Sequence, residues 1–205
     1  MSSLHQQTLE ARLMRLLGKP LRAVRYYDIA YDHGLPGWNW WPGPFHNPDF
    51  GLELRFDDDE SCFVAWGSQF LEHNLFAYPS SAPFEHYGPA VYDVSHEAGW
   101  RARIGKAISQ IRVFWSFWDD DEAALWYPQD IELCFDDGAR VWIGAYLYMA
   151  PYDYLFPSGD ELMVVFEPDA ARKYRMGPYF PLLNAGDCRV ISLTPPATLP
   201  GTDSA

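Results

Sequence analysis

A chain of 205 residues is of ordinary size for one domain, and 48% apolar residues with 17% aromatics can fill a core, which excludes wholesale disorder. Fifteen basic against 28 acidic residues leave a net charge of −13, which excludes the basic face that nucleic-acid binding needs and argues against docking on an anionic membrane. The first residues lack the apolar run of a signal peptide, no segment is apolar enough to span a bilayer, and three widely spaced cysteines argue against a disulfide framework. The expectation is a soluble, cytoplasmic protein.

Leu9, Leu13, Leu16 and Leu17 recur at helical spacing and predict a helix over 3–17, with Gly18 as its stop. Residues 20–31, rich in β-branched and aromatic side chains, read as a strand. The loop GWNWWPGPFH (37–46) either folds Trp38, Trp40, Trp41 and Phe45 back as a lid or displays them as a platform for a sugar or small ligand. Leu52, Leu54 and Phe56 alternate with Glu53 and Arg55, the pattern of a half-buried strand entering a hairpin. Residues 68–100 have no clean period and read as a packed, irregular connection. A strand over 161–167, a short helix from Asp169 to near Gly177 and a strand over 187–193 complete a domain spanning 1–194. Residues 195–205 form a Pro/Ser/Thr-rich tail expected to be flexible.

Part of this pattern occurs twice. LELRFDDDESCFVAW (52–66) aligns without a gap on IELCFDDGARVWIGA (131–145), at an offset of 79. LGKPLRAVRYY (17–27) aligns on IGKAISQIRVF (104–114) at an offset of 87, so the first copy carries eight extra residues in its Trp-rich loop. The internal repeat, 17–67 and 104–146, predicts two strand–loop–hairpin units paired about a pseudo-twofold axis. The fold class is therefore α+β: a mainly antiparallel sheet or sandwich with an N-terminal and a short C-terminal helix.

Motifs of chemistry are absent. HExxH, paired CxxC, GxSxG, the P-loop and the dinucleotide fingerprint do not occur, and the Asp runs 57–59 and 119–121 lack the Gly and Glu of a calcium loop. No catalytic residue, metal or organic cofactor is expected, although carboxylates assembled in space could still form an enzyme site. Charge is the sharper signal. Residues 49–60 carry a net −5 and residues 119–137 a net −8, together the whole imbalance of the chain. Solvated turns explain such acids in part, but not their concentration. The candidate partner-binding residues are Asp57, Asp58, Asp59 and Glu60 in one turn, Asp136 and Asp137 in its counterpart, and Asp119, Asp120, Asp121 and Glu122 in the loop before it. Trp118 or Trp126 would serve as a nearby anchor. In character — small, acidic, β-rich and without a catalytic motif — the chain resembles the immunity proteins of bacterial toxin systems. That resemblance is one of type, carries over no residue, and implies a non-enzymatic binder of a basic toxin domain.

Overall fold

The computed structural model describes residues 3–30, 36–39, 41, 43–70, 73–119, 124–180 and 188–195, without the side chains of residues 118, 119 and 124. The fold is α+β and built on antiparallel sheets. Helix α1 (Leu4–Met14) opens on Ser3, whose side chain accepts the Gln6 N–H, and ends earlier than its apolar spacing predicts. Leu9 and Leu13 stay on its buried face, and Leu16 turns inward after it. Five strands make the first sheet: β1 (Leu21–Asp28), β3 (Gly51–Phe56), β4 (Ser61–Gly67), β5 (Asn74–Tyr78) and β6 (Ala90–Asp93), in the order β5-β4-β3-β1-β6. The second unit begins at the short α2 (Ala98–Arg101). It continues through β7 (Ile108–Asp119), β8 (Ala124–Phe135), β9 (Arg140–Met149), β10 (Tyr154–Pro157), β11 (Glu161–Val165), α3 (Pro168–Lys173) and β12 (Cys188–Leu193). Its sheet runs β12-β7-β8-β9-β11, extended by β2 (Phe45–His46) from the Trp-rich loop, with β10 paired to β9.

The two sheets share register residue for residue. Val24 faces Leu54 and Leu54 faces Cys62, as Ile111 faces Leu133 and Leu133 faces Val141. Both inner strands carry a register shift at the same point, Leu21/Ala23 and Ile108/Gln110. The correspondence extends well beyond the two aligned segments: β5 pairs β4 as β11 pairs β9, and β6 pairs β1 as β12 pairs β7. Over Asn74–Tyr78 and Glu161–Val165 the offset is again 87, because the second unit has its own eight extra residues, which include β10; at the last pair, Asp93 opposite Arg25 and Ser192 opposite Arg112, it has grown to 99. Hydrogen bonds across the centre are reciprocal. Gly18 N–H donates to the Ile108 carbonyl and Gly105 N–H to that of Leu21, while Pro20 bridges to Ala107, its own counterpart. The pseudo-twofold axis passes there.

Alternation on the strands sends Leu52, Leu54 and Phe56, and equally Ile131, Leu133 and Phe135, into one core between the sheets. The stretch 68–100 is less irregular than its composition suggests, since it supplies both edge strands, β5 and β6, with Phe76, Phe84 and Trp100 buried along it. The second sheet is also covered on its outer face. There Phe45, Trp142, Tyr146, Met163 and Tyr174 form a smaller core beneath α3. The chain crosses from β10 on one side of β9 to β11 on the other at Gly159, where a Cβ would fall on the Leu147 amide nitrogen, so only glycine fits. Among the described residues no helix is long and apolar enough to cross a membrane.

Candidate functional site

The turns 57–60 and 136–139 are built alike. Asp59 (φ 60°) and Gly138 (φ 85°) take the left-handed conformation, which aspartate tolerates better than most residues. In each, the preceding Asp accepts a backbone N–H two residues on: Asp58 from Glu60 (3.2 Å) and Asp137 from Ala139 (3.0 Å). Both turns flank the pseudo-twofold axis, because Lys19 and Lys106, adjacent to it, hold them: Lys19 Nζ lies 2.5 Å from Asp58, and Lys106 Nζ lies 3.5 Å from Asp137. Arg15 and Lys19 also grip Glu60. Thus Asp57, Asp58, Asp59, Glu60, Asp136 and Asp137 gather at one end of the molecule. Asp57, Asp59 and Asp136 are exposed and make no ion pair among the described residues. The Lys19 bond holds Asp58 below the usual carboxylate range, and the Ala139 N–H does the same for Asp137, assisted by Lys106. These two acids stay charged in mild acid.

The described ends of the third acidic stretch lie elsewhere. Asp119 ends β7 and Ala124 begins β8, at the far end of two twelve-residue strands from Asp136. At ~3.3 Å per residue that is roughly 36 Å away. Asp120, Asp121 and Glu122 lie outside the described residues, as do the side chains of Trp118 and Asp119. Trp126 belongs to that distant end. It is half-buried against Phe117, with the Arg189 guanidinium 4.8 Å from its ring and 4.9 Å from that of Trp115. Arg189 also donates to Gln6 Oε1 (2.7 Å), so Trp126 helps to fix β12 and α1 to the sheet.

The Trp-rich loop is largely interior: Trp38 and Phe45 are buried, Trp41 packs on Tyr148, and Trp40 lies outside the described residues. Trp38 and Phe45 are thus folded back and not displayed as a platform. The loop is pinned by Asp28, whose carboxylate accepts the N–H groups of Trp38 (2.9 Å) and Asp49 (3.3 Å). Burial, reinforced by Asp49, pushes Asp28 up to about 7. His46 closes the loop, and burial brings it down to about 4. Its Nδ1 meets Tyr26 Oη at 2.9 Å, and Trp100 Nε1 donates to the same hydroxyl at 2.6 Å. An indole can only donate, so the Tyr26 hydroxyl accepts from Trp100 and donates its own O–H to Nδ1 of a neutral His46.

Two acids of the 119–137 stretch, counted from sequence as surface charge, prove to be interior. Glu132 is buried between Arg112 and Arg140, the latter at 3.3 Å. Asp130 lies beneath the turn that follows α3, accepting Tyr146 Oη at 3.0 Å on both oxygens and the Gly177 N–H at 2.7 Å. Burial pushes Asp130 up to about 7 against those donors. An unfolded aspartate loses its proton near pH ~4, so the folded state binds more protons between there and pH 7, and stability falls as pH rises through that window. Asp130→Asn, neutral throughout, is expected to flatten the pH dependence of urea midpoints; a slope equal to that of the wild type would contradict the assignment. Among the described residues no group of three His, Cys, Asp or Glu side chains is placed to hold a metal.

The chain matches no protein-family model, and comparison with curated proteins and with solved structures likewise returned no match.

Proposed function

We propose that this chain is a non-enzymatic, protein-binding inhibitor of the immunity type, which neutralises a basic toxin or enzyme through its acidic pole. One observation carries the reading: two acidic turns, 79 residues apart in sequence, flank one axis and leave Asp57, Asp59 and Asp136 exposed. A concentrated negative surface accelerates encounter with a basic partner and disfavours acidic ones. The lysine-held turns add rigidity, so little freedom is lost on docking. A cytoplasmic location belongs to this reading.

Co-expression tests it. The neighbouring gene's product, made alone, is expected to arrest growth, and this chain is expected to restore it by forming a complex. Arrest that the chain does not relieve, or a harmless neighbour, would contradict the proposal.

A further inference from the structure

A sizeable cavity lies on the second unit, away from the acidic pole. It encloses about 440 Å3 between β10 and the turn after α3, within the size range of small-molecule sites. Tyr154 and Phe180 supply accessible aromatic surface over the buried rings of Tyr146 and Tyr174, and Lys173 and Arg175 supply positive charge, on a chain that is otherwise strongly acidic. The base of the cavity is rigid at Tyr146, whose hydroxyl is fixed by the buried Asp130. Lys173 is occupied by Asp153 (2.6 Å) and the Tyr174 hydroxyl (3.1 Å). Arg175 is exposed and makes no ion pair among the described residues.

The pseudo-twofold supplies an internal control. Gly88 N–H donates to the Glu85 carbonyl as Arg175 N–H donates to that of Arg172, each pair at the offset of 87, so Arg175 stands where the first unit has Gly88. Both are left-handed, with φ 63° and 58°. Glycine adopts that conformation freely and arginine does so at a cost. Left-handed Asp153 and Ser158 also border this region, so three of the five described non-glycine residues with positive φ cluster here. Such strain persists where the side chain has a use. The corresponding groove of the first unit, beside Gly67 and Tyr87, is lined by no Lys or Arg.

We infer that the cleft binds a small organic acid with a planar apolar body, the rings stacking on the body and Arg175 pairing with the carboxylate. Accessible aromatic surface at Tyr154 and Phe180 favours a flat ligand, and a guanidinium at the rim matches a carboxylate by a two-point, charge-assisted contact.

Calorimetry with 1-naphthaleneacetate and its neutral amide provides the test. The acid is expected to bind ~tenfold or more tightly than the amide, the difference a charge-assisted pair supplies. Arg175→Gly is expected to abolish that difference without lowering the melting temperature, because glycine relieves the left-handed backbone. A blocked tripeptide ending in a free-carboxylate tryptophan separates the sources: tighter binding than the free acid assigns the cleft to a chain terminus, weaker binding to a small molecule. No saturable binding of the acid at millimolar concentration, or equal affinity of Arg175→Gly and wild type for it, would overturn the inference.

Discussion

Replacing Arg112 with alanine is expected to destabilise the protein by about 3 kcal/mol, whereas the same change at Arg25 is expected to cost less than about 1 kcal/mol. The two arginines are counterparts, and each faces a counterpart glutamate across the same pair of strands: Arg25 opposite Glu53, and Arg112 opposite Glu132. Burial separates them. Arg25 and Glu53 lie 3.7 Å apart with the arginine 39% exposed, so water screens the pair. Glu132 has no exposed side-chain surface. Removing Arg112 strands a buried carboxylate that, among the described residues, keeps Arg140 as its ion-pair partner, and that residual partner keeps the cost at the low end for a broken buried pair. Urea denaturation of both variants checks this. Equal costs would show that register, rather than solvation, sets the strength of these pairs.

Phe56→Ala and Phe135→Ala are each expected to cost about 3–5 kcal/mol. Both rings are buried in the shared core at 1% and 2% exposure, and each ends an inner strand just before an acidic turn. Truncation leaves a cavity between two sheets that cannot collapse independently. A cost below about 1 kcal/mol at either site, read from denaturation midpoints at constant slope, would mean that the two hairpins do not share one core.

How far the fold could be read depended on what each position had to satisfy. Alternation at Leu52, Leu54 and Phe56 and at Ile131, Leu133 and Phe135 was legible because both strands have a core-facing side. The equivalence of β5 and β11 was not, since NLFAY and ELMVV share only one residue, Leu75 or Leu162, and meet through register alone. Glu132 and Asp130 looked like surface acids because alternation cannot reveal that α3 and the Gly177 turn cover the outer face of the second sheet. The acidic turns could be located from Asp57–Glu60 and Asp136–Asp137, but their convergence depends on the crossing at Pro20 and Ala107. The significance of Arg175 emerges only beside Gly88, and no local motif links those two positions.

The acidic pole is tested most directly by association kinetics with the partner at low and high salt. Asp57→Asn/Asp59→Asn/Asp136→Asn is expected to slow association by about tenfold at low salt and to flatten its salt dependence. Dissociation and the melting temperature should change little, because exposed substitutions usually shift stability by only about ±0.5 kcal/mol. An association rate equal to that of the wild type at both salt concentrations would contradict the account and leave these acids a role in solubility alone.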